Sequence, residues 1–504
     1  MTESHAPEGE ERSNEAASLR EKARTGIVAL LARAAILEVV TLVGAVFIAR
    51  ALGPGEFGLF GLVRFALQFF RLFGDVGLGA ALVRQKEAPT DLQLSTVWWT
   101  QLALGLVVVV GVWFAAPVVL ARVWPDMPAV GTWVMRALAL ELLLTMLRTT
   151  PSLLLERDLA YRQLSVIDVV NGIVFYLVAV PLALAGWGAK ALVLGVLAQG
   201  ITGAAVAQLL RPWWPRFTFS WPVVSPLMRF GLAFQTNTLV GFFNAAVMPI
   251  AAGAALGSYT YGVVSWSQTT AYFPLSLLAI VGRVNFPLLS RLQEDRRGFG
   301  EALERSISIG AVVIHFFIAL LVGMGPEFVR VIYGSKWAPA VPTLYVFSVA
   351  LSIGYLVPVV AGAFDALGKP GTMMRLSIFW TIVNWLAVLG TLRFYKTAMA
   401  FALAYCIHIV LGNFATIWAL RLEVPTLRVF RHIAGPAIAA VIATPVGYFV
   451  IAPLVQGPVT LVLGIAALLA VFLGVLTPLD KAAVRELIDT FRKKKPATTG
   501  APSA

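Results

Sequence analysis

Long apolar stretches alternate with short polar connections along almost the whole chain. An α-helix needs roughly 20 consecutive apolar residues to cross the hydrocarbon core of a bilayer, and about fourteen stretches reach that length. The pattern therefore predicts an all-α polytopic membrane protein. The predicted spans lie at 27–50, 57–82, 95–120, 129–155, 163–186, 189–211, 229–253, 258–283, 303–325, 339–366, 373–392, 397–420, 432–452 and 456–477.

The basic residues collect in particular connections between these spans. The connections 211–229 and 283–305 and the tail sequence RKKK at 492–495 each carry several Lys or Arg residues. These segments fall on one side of the membrane if successive spans alternate in direction. Because positive residues accumulate on the cytosolic side, we expect an even number of spans with both termini in the cytosol. Residues 1–26 are expected to be a cytosolic tail without a signal peptide.

A short motif occurs twice in the chain. The sequence ALGPGEFG at 51–58 returns as ALGSYTYG at 255–262, and six predicted spans separate the two copies. An even number of spans preserves orientation, so the repeat predicts two parallel six-helix lobes. The expected organisation is an N-terminal lobe (27–211), an interfacial linker (212–228), a C-terminal lobe (229–420), two further spans (432–477) and a basic cytosolic tail (478–504).

Composition agrees with a membrane protein and argues against several other classes. Of 504 residues, 59% are hydrophobic and 13% charged, and the mean hydropathy is +0.83, well above an ordinary soluble domain. We attribute the net charge of +13 to orientation and contact with anionic lipid, and expect no nucleic-acid partner.

The sequence contains no recognisable catalytic or metal-binding pattern. Cys406 is the single cysteine, and the four histidines are scattered without metal-ligand spacing. The phosphate-binding loop G-x-x-x-x-G-K-[ST] and the hydrolase motifs H-E-x-x-H and G-x-S-x-G are all absent from the sequence. We therefore expect no cofactor, no metal and no enzymatic activity.

The second predicted span carries a stripe of polar residues. Arg64, Gln68, Arg71 and Asp75 fall within about 60° of one another at 100° per residue. A charge in hydrocarbon costs about 3 kcal/mol, so this stripe should face protein or water. Arg71 and Asp75 are four residues apart and could pair. Arg64 has no acid at helical spacing in its own span, so it either binds an anion such as phosphate or reaches out to the interface.

Other spans offer further candidate residues for a polar cavity. Asn237 and Asn244 in the seventh span and Gln268 in the eighth could bond sugar hydroxyls or join helices to one another. Three acids within the spans are candidates for ion coupling or charge pairing: Glu38, Asp75, and Glu141, which lies near Arg136. These residues together predict a secondary transporter with a partly cationic cavity.

Six segments of the chain resemble the Wzx-type oligosaccharide flippases, which form a polysaccharide-transporter branch of the multidrug/oligosaccharidyl-lipid/polysaccharide exporter superfamily. The resemblance covers most of residues 27–420. The segments are ARALGPGEFGLFGLV (49–63), GLGAALVRQKE (77–87) with LSTVWW (94–99), LLLERDLAYRQLSVID (153–168), GRVNFPLLSRLQED (282–295), VIYGSKWAPAVPTL (331–344) and DALGKPGTMMRLSI (365–378).

The resemblance implies a V-shaped exporter fold in the bacterial inner membrane. Its expected substrate is a polyprenyl-diphosphate-linked oligosaccharide, moved from the cytosolic to the periplasmic leaflet, with membrane lipid and a polysaccharide polymerase as partners. Such a substrate suits a cationic cavity, and Arg64 and Arg71 fit that role. Three alternatives stay open at this point: a lipid II flippase, a drug or cation antiporter of the same superfamily, and a membrane scaffold that transports nothing.

Overall fold

The computed structural model describes residues 30, 32–74, 78–85 and 87–491. Within these residues every regular element is helical, apart from turns and short connections. This is the expected outcome for a chain in hydrocarbon, because a helix satisfies its backbone hydrogen bonds within one segment. The predicted all-α fold is confirmed.

The helices follow one another along the chain with short connections between them. The N-terminal half contains α1 (Ala32–Ala51), α2 (Pro54–Gly74), α3 (Leu78–Arg84), α4 (Asp91–Val123), α5 (Val130–Arg157), α6 (Tyr161–Leu184), α7 (Ala189–Leu210) and α8 (Trp221–Arg291). The C-terminal half contains α9 (Arg296–Gly323), α10 (Gly325–Ile332), a 3-10 turn (Ser335–Ala340), α11 (Val341–Gly354), α12 (Leu356–Ala366), α13 (Pro370–Phe394), α14 (Ala398–Glu423), α15 (Val429–Val446), α16 (Pro458–Leu479) and α17 (Lys481–Phe491).

Twelve helices among the described residues are long and apolar enough to cross a membrane. The predicted pattern of fourteen spans differs from this set at two places. First, α2, the helix with the polar stripe, is not among the twelve. Second, residues 241–278 form one candidate span by length and composition, and the predicted break between the seventh and eighth spans is a kink within it. The number fourteen therefore stays a prediction.

A glycine interrupts the helix at the same position of each repeat. In α8, Gly257 has φ 78° and ψ 174°, a conformation that residues with a side chain rarely adopt. The equivalent residue of the first copy, Gly53, lies in the non-helical connection between α1 and α2. The break at Gly257 divides the 71 residues of α8 between the predicted seventh and eighth spans.

The two copies of the repeat contact each other reciprocally. A Cβ atom on Gly58 would overlap the Ser258 carbonyl oxygen and lie 2.7 Å from the Gly262 amide nitrogen. A Cβ atom on Gly262 would likewise overlap the Pro54 carbonyl oxygen and lie 2.7 Å from its carbonyl carbon. Pro54 and Ser258 occupy equivalent positions of the two copies, as do Gly58 and Gly262. Small residues four apart permit this close approach of backbones.

The chain forms two compact units, Met1–Gly262 and Val263–Ala504. The predicted boundary between the lobes, the linker 212–228, lies earlier in the chain than this division. The linker and the predicted seventh span therefore belong to the first unit. In this unit two residues of the linker, Val224 and Leu227, pack in one apolar cluster with Leu82 and Leu153.

The linker is bonded to the start of α4 by the LSTVWW motif. Ser95 Oγ accepts a hydrogen bond from the Arg216 amide at 3.0 Å, and Trp99 Nε1 donates to the Arg216 carbonyl at 2.8 Å. The Arg216 guanidinium also pairs with Asp91 at 2.8 Å. The polar residues of this motif therefore have a structural role, which is to fix the linker against the end of a helix.

In the second unit, α9 shares its core with the two helices that lie outside the duplication. Small and apolar side chains of α9, α15 and α16 are fully buried together, and α17 adds Ala483. The predicted thirteenth and fourteenth spans are therefore integral to the packing of this unit. The buried residues include Val312, Ala319, Leu320, Ala439, Ala443, Leu468 and Phe472.

Candidate functional site

The helix α2 separates its polar and apolar residues onto different faces. Arg64, Gln68 and Arg71 are all exposed and form one stripe, as predicted from their spacing. Leu62 and Val63 on the other side are completely buried, and this helix packs against α4, α5 and α7. Packing of the apolar face thus directs both guanidinium groups away from the interior of the first unit.

Aromatic contacts fix a second side of α2. The Phe65 ring stacks on the Phe242 ring of α8 with a centroid separation of 5.0 Å, and Phe69 lies 5.5 Å from the same ring. Leu62 also lies against Gly253, where a side chain would not fit. These contacts are one and two turns apart along α2. They hold the helix in a defined rotation about its axis.

Arg64 has a polar and aromatic environment that the sequence did not reveal. Its guanidinium carbon lies 5.9 Å from the centre of the Phe60 ring, close enough for a cation–π interaction. The Tyr176 hydroxyl of α6 hydrogen-bonds the Thr41 side chain and interacts electrostatically with Arg64. The Tyr176 ring reaches this position because it packs directly against Gly44 of α1. The contact between Tyr176 and Gly44 joins two helices that are distant in the sequence, so residue spacing does not predict it.

The cationic groups of the stripe lack acidic partners among the residues that the structure describes. None of the ion pairs found there includes Arg64 or Arg71. Asp75 lies outside the described residues, so its pairing with Arg71 stays a prediction. Two exposed guanidinium groups therefore present hydrogen-bond donors along one helix face, without an acidic partner in the part of the chain that the structure describes.

The predicted amide residues differ in what the structure shows of them. Asn237 lies in α8, with its side chain outside the described part, and Asn244 is half-buried in the same helix. Gln268 belongs to the second unit, where its Nε2 donates to the Tyr272 hydroxyl at 3.3 Å. The Tyr272 ring in turn lies 5.6 Å from the Tyr405 ring. Gln268 is therefore tied into an aromatic group within its own unit.

Arg136 has a partner other than Glu141 in the structure. The Arg136 Nε donates to the Trp113 carbonyl at 2.9 Å, and the guanidinium lies 4.9 Å from the centre of the Trp113 ring. Residues five apart point about 140° away from each other on a helix. The Glu141 carboxylate therefore points away from the Arg136 guanidinium. Glu141 is half-buried, and Glu38 on α1 is exposed.

The fold and this site together define a polytopic α-helical membrane protein that presents a cationic face on one long helix. The chain belongs to the polysaccharide biosynthesis protein family, whose profile matches residues 47–342. This confirms the resemblance read from the six sequence segments.

Two relatives and one solved structure are similar to this chain over most of its length. The chain is 25% identical over 470 residues to the succinoglycan biosynthesis transport protein ExoT of Rhizobium meliloti (strain 1021), covering 91% of this chain and 93% of ExoT. It is 24% identical over 348 residues to the lipopolysaccharide biosynthesis protein WzxC of Escherichia coli (strain K12), covering 66% and 67%. Its fold is similar to that of the lipid II flippase MurJ, with a TM-score of 0.73, 14% identity and coverage of 92% of this chain and 100% of that one.

Proposed function

We propose that this protein is a flippase for lipid-linked oligosaccharides. It moves polyprenyl-diphosphate-linked repeat units from the cytosolic to the periplasmic leaflet for the synthesis of an exopolysaccharide or lipopolysaccharide. The observation that carries the proposal is the exposed pair Arg64 and Arg71, without an acidic partner among the described residues. Family membership and the relatives named for polysaccharide transport and biosynthesis support the substrate class.

The stripe suits the physical problem of moving such a headgroup. An ionised diphosphate cannot enter hydrocarbon unaided, because moving an isolated charge out of water costs tens of kcal/mol by Born solvation. A guanidinium group binds phosphate oxygens bidentately and stays charged in every environment. Arg64 and Arg71 are seven residues apart, which is about 10 Å along the helix axis. A diphosphate bound at one arginine can therefore pass to the other, with Gln68 between them, while the prenyl tail remains in lipid.

The proposal also includes the membrane in which the protein lies, its orientation and its partner. We place the chain in the bacterial inner membrane, with both termini in the cytosol, on the strength of its basic connections. We infer transport and no chemical reaction, because the motifs that would support catalysis are absent from the sequence. A polysaccharide polymerase on the periplasmic side is the proposed partner that consumes the flipped lipid.

The leaflet distribution of polyprenyl-diphosphate oligosaccharides tests the proposal. Cells without this protein and without a redundant flippase should accumulate the lipid on the cytosolic leaflet, and the wild type should restore its export. The double variant Arg64→Ala/Arg71→Ala should restore less, at equal abundance in the membrane. The matched control is Arg122→Ala, which removes an exposed arginine from the end of another helix, α4. Full export by the double variant would contradict the role of the stripe.

The lipid II flippase is the second candidate, because MurJ shares the fold over almost the whole chain. Purified protein in vesicles distinguishes the two when it is supplied with lipid II or with a polyprenyl-diphosphate oligosaccharide. Faster flipping of lipid II would replace the proposed substrate. A drug or cation antiporter would instead move neither lipid. A scaffold would leave export unchanged when both arginines are replaced.

A further inference from the structure

A second polar face lies on α5 of the first unit. Glu141, Thr145, Arg148 and Ser152 follow the spacing i, i+4, i+7 and i+11, which places them within about 60° on one side of the helix. We call these four residues the α5 stripe. All four are half-buried. Their spacing is the same as that of the polar stripe predicted for the second span.

The two stripes lie on helices that pack together. α2 and α5 are in contact, and they run in the same direction because the long helix α4 reverses the chain between them. At 1.5 Å per residue, Arg71 is about 26 Å from the start of α2 and Arg148 about 27 Å from the start of α5. Arg64 is about 15 Å from the start of α2, and Glu141 is about 16 Å from the start of α5.

Other sides of α5 are already covered by protein. Met146 packs against Gly105 of α4, and Leu144 packs against Gly200 of α7. The Leu147 carbonyl accepts a hydrogen bond from the Gln208 side chain of α7. On a helix, Met146 and Leu147 point about 130° away from the centre of the α5 stripe, and Leu144 flanks it at about 70°. These contacts with α4 and α7 therefore lie on other sides of α5 than the half-buried α5 stripe.

The three arginines of α5 differ in how their guanidinium groups are used. Arg136 binds the Trp113 carbonyl and ring. Arg157 at the end of α5 donates hydrogen bonds of 2.7–2.9 Å to three backbone carbonyls in and just after α3. These are the carbonyls of Leu82, Gln85 and Glu87. Arg148 forms no ion pair or hydrogen bond through its side chain with any residue that the structure describes. A half-buried guanidinium inside a long apolar helix needs an acid, backbone carbonyls or water as its partner, and the described residues supply neither an acid nor a carbonyl to Arg148.

We propose that the α5 stripe is a second binding surface for the diphosphate-sugar headgroup, with Arg148 as a phosphate-binding residue. This inference rests on the proposed flippase function and adds a wall to its site. The Thr145 hydroxyl donates to the Glu141 carbonyl at 2.9 Å, so its oxygen remains free to accept a bond. The Glu141 carboxylate and the Thr145 and Ser152 hydroxyls bind sugar hydroxyls, while Arg148 binds a phosphate oxygen. The stripe thereby selects a headgroup that combines sugar with diphosphate.

Binding by the purified full-length protein tests Arg148 without requiring transport. The probe is farnesyl diphosphate in detergent, followed by intrinsic tryptophan fluorescence, and dioctanoyl phosphatidylglycerol is the comparison lipid. Arg148→Gln should weaken farnesyl diphosphate binding about tenfold, which is the effect of losing one charge-assisted hydrogen bond. Arg148→Lys should lose less because it retains the charge. Arg122→Gln should bind like the wild type. A single peak in gel filtration establishes folding for each variant.

Each outcome decides between the sources of the phosphate and between the two proposals. Equal weakening for both lipids identifies Arg148 as an ordinary contact with membrane phospholipid and overturns the inference. Unchanged binding by both Arg148→Gln and Arg148→Lys overturns it as well. Failure of wild-type protein to flip the oligosaccharide lipid overturns the proposed function, whereas farnesyl diphosphate binding still reports on Arg148. If flipping is lost in the Arg64/Arg71 double variant but intact in Arg148→Gln, the inference about the α5 stripe is overturned and the proposed function stands.

Discussion

Replacing Gly58 by alanine tests the close crossing between the two copies of the repeat. The new Cβ atom would overlap the Ser258 carbonyl oxygen, and ordinary contacts of a Cβ atom begin at 3.4 Å. Overpacking of this kind costs about 1–3 kcal/mol, and the opposing atom is backbone that cannot rotate away, which favours the upper value. Alanine recovers about 1 kcal/mol of helix propensity over glycine. We therefore expect Gly58→Ala to lower the free energy of unfolding by about 2 kcal/mol.

Unfolding of purified protein in mixed detergent and SDS, followed by circular dichroism, measures this change. The control is Gly111→Ala, at a position inside α4 where the added atom meets open space, and it should gain up to about 1 kcal/mol from helix propensity. Gly262→Ala should cost about as much as Gly58→Ala. The double variant should cost less than the sum, because one separation of the helices relieves both clashes. A Gly58→Ala variant as stable as Gly111→Ala would refute the tight crossing.

Three other side chains give further predictions. Arg71→Lys should export less polymer than the wild type but more than Arg71→Ala, because lysine keeps the charge and loses bidentate geometry. The measurement is the amount of exported polysaccharide at equal protein abundance. Equal export by the wild type and both variants would contradict this prediction. Ser95→Ala should speed tryptic cleavage after Arg216, because the linker loses an anchoring hydrogen bond; an unchanged cleavage rate rules the anchor out. Arg157→Gln should destabilise the protein by about 2 kcal/mol, since charged hydrogen bonds to three carbonyls are weakened; a melting curve in detergent measures it, with Arg122→Gln as the control.

The apolar pattern predicts helices well because hydrocarbon dictates their length. The fourth predicted span, 129–155, corresponds to α5 (Val130–Arg157), and the sixth, 189–211, to α7 (Ala189–Leu210). The tenth, 339–366, consists of two successive helices, α11 and α12, which meet at Tyr355. Hydropathy cannot reveal that break, since both halves are equally apolar. At this break the buried Tyr355 hydroxyl donates to the Ile307 carbonyl at 3.1 Å, a tertiary contact that hydropathy does not encode.

The candidate site was only partly accessible from sequence, because spacing within one helix says nothing about neighbours. The periodicity of α2 predicts one face for Arg64, Gln68 and Arg71, and all three residues are exposed. The partner of Arg136 was missed because a backbone carbonyl, that of Trp113, leaves no signal in residue type. Tyr176 was missed for a similar reason, since only folding brings α6 to α1.

The reciprocal contact between the repeats also bears on the origin of the chain. In a symmetric dimer, residue i of one subunit touches residue j of the other, and j touches i. Gly58 with Ser258 and Gly262 with Pro54 have this form inside a single polypeptide. A half-length ancestor with one copy of the motif would have associated with a second copy of itself through the same glycine. Fusion of two genes would then turn a dimer interface into an internal one, which still requires both glycines while the residues between them diverge.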